Sequence, residues 1–434
     1  MTMQQTPLIL SRILGRGAKL DPNEEVVTLL ENGTHRQTLK TTWERANRVA
    51  GALKAHGIKE GDRVASFMWS NYRHLELYQG VPSMGAVLHT LNIRLSPADL
   101  EYIINHAEDR VIFADEDLLP LLEPLKGKIP TVELIVICRY GENGESTFTD
   151  VIDYEDFIKD QPSSFDWPEL DENAPMGLCY TSGTTGKPKG VMYTHRSTYL
   201  HTMAQAMTDA VSLSALDALC GIVPMFHAMG WGMPFTASML GCKQVYPHKY
   251  MSPDKLLQLI VDEEVTISAG VPTIWQGIKA ILEAEGESKY DMSNLSRLTC
   301  GGSAPPVSMM RWYAEKHSIE MIQGWGMTET GAAGTSFTGY FYNLKPGSSG
   351  FLNPIVDLRF CDEHGIELEA GAPGEIWIKS PTTITGYTNN PDANKNEFKD
   401  GWFKTGDIGY LDADKCLFIC DRAKDMVIRG GENI

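Results

Sequence analysis

The chain has 434 residues, which is long enough for two or more hydrophobic cores. Its composition, 42% hydrophobic and 22% charged, is that of an ordinary globular protein. The formal net charge of −18 argues against nucleic acid or an anionic membrane as a partner, so an anionic ligand would need a local cluster of positive groups.

The cysteines and the N-terminus bear on the cellular compartment. None of the eight cysteines shows Cys-x-x-Cys spacing or clusters with histidines, and most lie in apolar, strand-like runs. Residues 1–20 lack the apolar core of a signal peptide, and no apolar run reaches about eighteen residues. We therefore predict reduced core cysteines in a cytoplasmic protein without a transmembrane segment.

The first part of the chain alternates between helical and strand patterns. A capping-box pattern at residues 41–44 and helical spacing of apolar residues predict a helix over 41–57, ended by Gly57. Further helices are predicted over 71–84 and from Ser96-Pro97. Strands are predicted at 61–68, 87–91, 111–114 and 134–137. Such alternation predicts a parallel sheet with helices on its faces.

A polar stretch over 140–173 predicts a surface excursion that leads into a second α/β unit. Its predicted strands are 176–181, 191–194, 219–223, 244–246, 266–269, 297–300 and 320–323, with helices between them. After about Gly350, short strands at 356–361, 375–379, 403–411 and 416–420 predict a small antiparallel β subdomain. The sequence thus predicts an α/β fold with units at about 1–170 and 171–345 and a β subdomain at 346–421.

Residues 180–190, Tyr-Thr-Ser-Gly-Thr-Thr-Gly-Lys-Pro-Lys-Gly, combine three glycines, four serine or threonine hydroxyls and two lysines. Sharply turned backbone, hydroxyls and lysines together suit a polyphosphate ligand. A flexible linker is the alternative, but it would not need Lys187 and Lys189 on either side of Pro188. The spacing of the glycines excludes a Walker A loop.

Two further segments combine polar or aromatic residues with glycine. His227 and Trp231 are four residues apart and would share one face of a helix. On this stretch alone, a helix start with a partly buried histidine is the favoured interpretation. Residues 298–305 predict a strand, two glycines and a proline-started helix, where Gly301 and Gly302 would let a flat ring approach the backbone. A simple strand–turn–helix junction is the alternative.

Residues 323–329, Gln-Gly-Trp-Gly-Met-Thr-Glu, place an aromatic ring between two glycines and end in a hydroxyl and a carboxylate. One glutamate suffices for Mg²⁺, which completes its shell with water and phosphate oxygens. A capping role for Thr328 and Glu329 would leave the glycines unexplained. In residues 404–409, the glycine before Asp407 predicts a hairpin turn. Residues 421–425 could be a solvated charge cluster.

In this order and with these gaps, the motifs resemble those of the adenylate-forming superfamily, which includes acyl-CoA synthetases, peptide-synthetase adenylation domains and beetle luciferases. Residues 71–76, 104–109 and 269–275 resemble its bacterial fatty-acyl-CoA synthetase and methylthiopropionate-CoA ligase branch. The resemblance implies a large N-terminal AMP-binding (adenylation) domain over 1–421, made of two αβ subdomains and a β-barrel-like subdomain. Residues 422–434 would be the hinge and the start of a C-terminal domain that is absent from the chain.

The resemblance also implies roles for individual residues. His227, Thr328, Glu329 and Lys424 would be catalytic, Thr181 and Glu329 would hold Mg²⁺, and His227, Trp231 and Gly324 would border the acyl pocket. ATP or AMP would contact a larger set: Thr181, Ser182, Gly183, Thr184, Thr185, Gly186, Lys187, Lys189, Gly302, Ser303, Ala304, Gln323, Gly324, Trp325, Gly326, Met327, Thr328, Asp407, Arg422 and Lys424. Within it, Asp407 would bind the ribose and Trp325 would cover the adenine.

The implied reaction has two steps: a carboxylate attacks the α-phosphate of ATP to give acyl-AMP and pyrophosphate, and the thiol of CoA, the co-substrate, then displaces AMP. Two alternatives are transfer of the acyl group to a carrier protein or other acceptor, and a chain that only binds ATP and an acyl group. The second follows from the absent C-terminal domain, which supplies the family's catalytic lysine, and predicts ATP binding with weak adenylation. One departure is Ile428, where related enzymes often carry a lysine; Arg429 is adjacent. A homodimer is possible.

Overall fold

The structure is a computed structural model, and it describes residues 2–141, 146–181, 186–286, 289–337, 345, 347–422, 428–429 and 432–433. The strands, numbered β1 to β23 in chain order, are Glu25–Leu30, Gly33–Thr38, Arg63–Phe67, Val87–Thr90, Val111–Asp115, Leu134–Cys138, Val151–Asp153, Pro175–Tyr180, Gly190–Thr194, Ala218–Cys220, Lys243–Tyr246, Ile267–Gly270, Arg297–Cys300, Glu320–Trp325, Thr335–Phe337, Phe351–Leu352, Asp357–Cys361, Gly374–Lys379, Phe398–Lys399, Trp402–Leu411, Leu417–Arg422, Ile428–Arg429 and Glu432–Asn433.

The α-helices, numbered α1 to α13, are Ser11–Leu14, Arg16–Leu20, Leu39–His56, Tyr72–Ser83, Pro97–Ala107, Leu119–Leu122, Tyr154–Ile158, His195–Gln205, Met233–Leu240, Pro253–Asp262, Pro272–Glu285, Val307–His317 and Pro391–Glu397. Short 3₁₀ segments lie at Glu116–Leu118, Glu123–Leu125, Ala228–Gly232 and Thr328–Thr330.

Two large sheets form the body of the molecule. One has seven strands in the order β7-β6-β5-β3-β4-β8-β9, and all its pairs are parallel except β8 with β9. The other has nine strands in the order β16-β15-β14-β13-β12-β10-β11-β1-β2, parallel from β14 to β1. The predicted α/β fold is confirmed.

The sheets cut across the predicted limit near residue 170. The hairpin β1–β2 joins the nine-stranded sheet, because β1 pairs in parallel with β11. Conversely, β8 and β9 belong to the seven-stranded sheet, because β8 pairs with β4. Sequence-neighbouring strands need not share a sheet when the chain crosses between layers, and these crossings tie the two layers together.

The interior explains why so many strands read as continuous apolar runs. On β5, Val111 and Phe113 face the core shared with the nine-stranded sheet, whereas Ile112 and Ala114 face the core under α5. A strand that is buried on both faces has no polar face to alternate with. The described part of the chain has no helix that is long and apolar enough to cross a membrane.

The β subdomain is a separate antiparallel sheet, confirming the prediction from the short strands. Its order is β17-β18-β20-β19. Strand β21 also pairs with β20, at the later residues Asp407 to Leu411. The ten-residue strand β20 is its centre, and it carries irregular register on both neighbours.

Several predicted element ends shift in the structure. The helix predicted over 41–57 starts at Leu39, because the hydroxyl of Thr38 caps it by accepting a hydrogen bond from the Thr41 amide; Gly57 ends it with positive φ as predicted. The polar stretch 140–173 contains β7 and α7. All eight cysteines are free thiols, seven of them buried and Cys420 exposed.

Candidate adenylation site

The predicted phosphate loop connects two antiparallel strands of the seven-stranded sheet, β8 and β9, as the sequence predicts. Ser182, Gly183, Thr184 and Thr185 lie outside the described residues. At its base, the Lys189 amide donates to the Thr181 hydroxyl at 3.2 Å, and the Thr181 amide donates to the Lys189 carbonyl at 3.0 Å. The Thr388 amide also donates to the Gly190 carbonyl at 2.9 Å. The loop base is thus fixed on a sheet and against the β subdomain.

Glu329 lies in a short 3₁₀ turn, Thr328–Thr330, that follows strand β14. Its side chain is buried. Two hydrogen bonds fix the turn: the Tyr193 hydroxyl donates to the Thr328 carbonyl at 2.7 Å, and the Ile384 amide donates to the Glu329 carbonyl at 2.9 Å. Because Tyr193 lies on β9, the turn is held directly against the phosphate-loop hairpin.

A chain of polar contacts links Glu329 to the loop lysine. The Tyr387 hydroxyl lies 2.8 Å from Oε1 of Glu329 and 2.7 Å from Oε2 of Glu397. Nζ of Lys189 donates to Oε1 of Glu397 at 2.6 Å and lies 4.4 Å from the centre of the Tyr387 ring. Burial raises the pKa of Glu329, against the opposing effects of the backbone and Tyr387 hydrogen bonds.

Lys187 takes a different direction from Lys189. Its Nζ lies 4.7 Å from the centre of the Tyr102 ring, on helix α5 of the seven-stranded sheet's outer layer. The two lysines therefore lie against different rings at the base of the loop, and Lys189 is the one in contact with the Glu329 network.

Trp325 and Asp407, predicted to bind adenine and ribose, are in direct contact. Nε1 of the Trp325 indole donates to Oδ2 of Asp407 at 2.8 Å, although the two residues are 82 positions apart. The glycines beside the ring are needed sterically: a Cβ on Gly334 would lie 2.6 Å from the ring, and one on Gly326 would lie 2.6 Å from the Ala332 backbone.

The strand predicted over 403–411 is confirmed, whereas the hairpin turn that the glycine before Asp407 suggested is wrong. Asp407 lies within strand β20, where the Glu375–Trp377 part of β18 shifts register and Gly406 has φ of 72°. The register shift is a β-bulge, and Gly406, the glycine that suggested a hairpin, lies in it. Asp407 pairs in register with Arg422 on β21. The side chain of Arg422 and the whole of Lys424 lie outside the described residues.

The α-helical face predicted for His227 and Trp231 is also wrong. The segment Ala228–Gly232 is a left-handed turn, with φ of 45° at Met229, 58° at Gly230 and 48° at Trp231. Non-glycine residues pay a steric cost in this region, so the surrounding packing must hold the turn. Helix α9 begins only after it.

Packing shows what holds this turn. The Met229 sulfur lies so close to Gly177 of β8 that a Cβ there would be 2.4 Å away. The Trp231 ring similarly covers Gly301, where a Cβ would meet it at 2.9 Å. His227 precedes the turn and is half-buried. The turn therefore connects the strand before the phosphate loop with the predicted adenine segment.

The predicted adenine segment leaves the end of strand β13. Gly302 has φ of 80°, and Gly302, Ser303 and Ala304 are exposed, whereas Gly301 is buried under Trp231. Gln323 is buried and pairs with Cys300 across the adjacent strands β13 and β14. Gly324 allows close approach of the Thr335 carbonyl, 3.0 Å from the position of a Cβ.

A small apolar cavity lies behind the left-handed turn. Its apolar lining comes from the nine-stranded sheet, the turn and helix α9, and includes Leu219, Val223, Gly230, Met233 and Ala269. Trp231 packs against several of these residues. The cavity, the turn and Trp231 are thus contiguous.

The fold shows two site residues that the sequence reading missed, Tyr387 and Glu397. Neither lies in a glycine-rich motif, and Glu397 is the last residue of the short helix α13. Only their contacts with Glu329 and Lys189, 58 and 208 positions away, reveal them. Gly386, which precedes Tyr387, packs closely on Asn394 of helix α13. A glycine directly before a tyrosine is the sequence feature that could have pointed to Tyr387.

The carboxylate of Glu329 and the lysines of the phosphate loop are the kinds of group that bind a magnesium–nucleotide complex. In the described structure Glu329 is buried and forms no salt bridge with lysine or arginine. It lies within hydrogen-bond distance of the Tyr387 hydroxyl, whose single proton is also within reach of Glu397. No group of three or more His, Cys, Asp or Glu side chains in the described residues forms a ready cation site. A single carboxylate beside a phosphate loop is the usual protein contribution for Mg²⁺, which keeps water and phosphate oxygens.

Comparison with known proteins agrees with this arrangement. A family model described as AMP-binding enzyme matches residues 15–388. A medium-chain-fatty-acid–CoA ligase of Ectopseudomonas oleovorans is 37% identical over 99% of this chain and 80% of its own length. A 3-methylmercaptopropionyl-CoA ligase of Ruegeria pomeroyi is 35% identical over 99% of this chain and 81% of its own.

Among solved structures, an anthranilate CoA ligase in complex with anthranoyl-AMP superposes with a TM-score of 0.87 at 25% identity. The match covers 99% of this chain and 81% of that one. Its similar proteins include a fatty-acid–CoA ligase and a 3-methylmercaptopropionyl-CoA ligase. The resemblance inferred from the motifs is therefore confirmed: the chain belongs to the AMP-binding enzyme family.

Proposed function

We propose that this protein uses ATP to convert a carboxylic acid into an acyl-AMP and then into an acyl-CoA thioester. The observation that carries the proposal is that the predicted nucleotide-binding residues come together in the fold. The phosphate-loop base, the Glu329 turn and the Trp325–Asp407 pair come from distant parts of the sequence, and the structure links the first two through one chain of polar contacts. The CoA ligases that cover nearly the whole chain support the same reaction class.

The nucleotide would be held by residues that differ in chemistry. Trp325 and Gly302 would contact the adenine, and the carboxylate of Asp407 would accept hydrogen bonds from the ribose hydroxyls. Residues 181–189, with Lys187 and Lys189, would hold the β- and γ-phosphates. Glu329 and Thr181 would hold Mg²⁺, which when bound would offset phosphate charge.

The acid would enter from the side of the left-handed turn. His227 would orient its carboxylate toward the α-phosphate, and Trp231 would control access to the apolar cavity behind the turn. The side chains behind the turn are apolar and would suit an alkyl chain. The fatty-acid–CoA ligases among the relatives support a medium- or long-chain fatty acid or a related acid as substrate.

Catalysis of this reaction rests on positioning and charge. In-line attack on a phosphate needs the two reactants aligned and the developing negative charge balanced, with little covalent participation by protein groups. The rigid supports of the site fit this need, because the loop base, the Glu329 turn and Trp325 are each fixed by hydrogen bonds to strands or to the segment around Ile384.

The test is ATP–pyrophosphate exchange by the full-length protein, driven by a medium-chain fatty acid. Glu329→Gln preserves the shape of the side chain and removes its charge, so exchange should fall by at least about a hundredfold. Glu369→Gln, at an exposed position in the β subdomain, is the matched control and should keep wild-type exchange. Wild-type exchange by Glu329→Gln would contradict the assignment of Glu329.

Transfer of the acyl group to a carrier protein remains the second candidate. It shares the first half-reaction and differs only in the acceptor. Loss of free CoA thiol that depends on both ATP and the acid supports the CoA ligase. Acid-dependent release of pyrophosphate with no loss of CoA thiol would favour the carrier protein.

We also propose a homodimer, on the family resemblance, and a cytoplasmic location, on the free and mostly buried cysteines. Sedimentation velocity of the purified protein would test the dimer, since a single species at the mass of one chain would contradict it.

A further inference from the structure

One charged contact in the site has no role in the reaction as described. Oε1 of Glu397 accepts a hydrogen bond from Nζ of Lys189 at 2.6 Å, and the two side chains are 34% and 20% exposed. Lys189 is a residue that the proposed function assigns to the β- and γ-phosphates of ATP. While the ammonium group of a lysine is paired with a carboxylate, its electrostatic attraction for a phosphate is weaker.

The position of Glu397 is electrostatically unfavourable within its own helix. It is the last residue of helix α13, where the helix dipole disfavours a negative charge. Its two oxygens are engaged by different partners, Lys189 on one side and the Tyr387 hydroxyl on the other. The carboxylate is therefore held in place from both sides rather than extended into solvent.

We propose that Glu397 is an intramolecular competitor for Lys189 that weakens the binding of ligands carrying β- and γ-phosphates. In the nucleotide-free protein, the carboxylate takes the place of a phosphate oxygen as the partner of the ammonium group. ATP must break this pair when it binds, and Glu397 can re-form it as pyrophosphate leaves. AMP has no phosphate at this position and does not compete.

This inference rests on the proposed function, because it assumes that Lys189 faces the outer phosphates. It adds a residue outside the family motifs and a direction of effect. Removing the charge of Glu397 should strengthen ATP binding, since the free lysine no longer has to leave a partner. It should also remove the repulsion between the carboxylate and the phosphates. Lys189 should stay near its place because its contact with the Tyr387 ring remains.

The size of the effect follows from the exposure of the pair. A partly exposed ion pair changes an equilibrium constant by up to about fivefold, and the lost repulsion adds to this. We therefore expect Glu397→Gln to lower the dissociation constant of ATP by about three- to tenfold. The dissociation constant of AMP should stay within about twofold, because its contacts lie at Trp325 and Asp407.

The experiment is isothermal titration calorimetry of ATP and of AMP, each with Mg²⁺, against the wild-type protein, Glu397→Gln and a control. The control is Glu283→Gln, which removes a Lys–Glu pair of the same 2.6 Å length between Lys279 and Glu283 on helix α11. It should change neither affinity. Wild-type affinity for AMP in Glu397→Gln also shows that the variant is folded.

Unchanged or weaker ATP binding by Glu397→Gln would overturn the inference. Equal tightening for ATP and AMP would overturn it as well, because competition acts only on the outer phosphates. If the wild-type protein binds neither nucleotide, the proposed function itself is contradicted, and the two failures are thereby distinguished.

Discussion

At the scale of single residues, Glu329 is buried and forms no ion pair with a lysine or arginine that the structure describes. Lys189 pairs with Glu397 instead. A buried carboxylate without a cation costs stability in the empty protein. Such a cost is expected where a metal ion and a phosphate ligand complete the balance, since functional sites often trade stability for activity.

This cost gives a pH dependence whose sign can be stated. Burial raises the pKa of Glu329 above that of an unfolded chain, which is about 4.3. The folded state then binds a proton more tightly, so the contribution is favourable at low pH and is lost as pH rises through the raised pKa. Glutamine resembles the protonated acid, and Glu329→Gln should therefore gain stability over wild type as pH increases.

Urea unfolding across about pH 4 to 8, a range that includes the pKa of glutamate in an unfolded chain, measures this difference. The advantage of Glu329→Gln should grow with pH, whereas Glu369→Gln, at an exposed position, should track the wild-type protein throughout. A difference between Glu329→Gln and wild type that is constant over the whole range would contradict the raised pKa.

At the scale of elements, the site depends on close contacts between turns and strands rather than on a helix face. The turn after β14 approaches itself so closely that Gly326 has the Ala332 backbone 2.6 Å from the position of a Cβ. The left-handed segment Ala228–Gly232 is held by side-chain contacts, Met229 against Gly177 and Trp231 against Gly301. The contact at Gly326 is with backbone, so it cannot relax by moving a flexible side chain.

Gly326→Ala should therefore destabilise the protein and the nucleotide site together. We expect the free energy of unfolding to fall by about 1–3 kcal/mol. AMP affinity should fall by about tenfold or more, because Trp325 is displaced from Asp407. Chemical denaturation and calorimetry with AMP check both effects.

Gly141→Ala is the matched control, since a Cβ at Gly141 meets nothing within 4 Å. It should leave stability and AMP binding at wild-type values. A Gly326→Ala variant with unchanged AMP affinity would contradict the need for this close contact.

At the scale of the whole molecule, sequence patterns predicted the α/β class, the antiparallel β subdomain and the loop between β8 and β9. They predicted these features because each depends on local periodicity and on turn residues. The placement of hairpin β1–β2 beside β11 could not be predicted, because strand pairing across more than two hundred residues leaves no local pattern. The same reason hides Tyr387 and Glu397.

The two wrong local predictions have a similar cause. Glycine before Asp407 suggested a turn, but pairing with β18 and β21 makes it a bulge in a long strand. Helical spacing of His227 and Trp231 suggested a shared face, but packing against Gly177 and Gly301 imposes left-handed backbone. In both places tertiary contacts override the preference of the segment.

The central claim is that one continuous site in this chain holds a nucleotide and an acyl group together. The most direct measurement is calorimetric binding of a non-reactive acyl-AMP analogue, decanoyl-sulfamoyl-adenosine, compared with AMP and with sulfamoyl-adenosine. Because one ligand would occupy both halves of the site, the account predicts binding at least about a hundredfold tighter than that of either comparison ligand. Affinity for the decanoyl compound no greater than that for sulfamoyl-adenosine would contradict it.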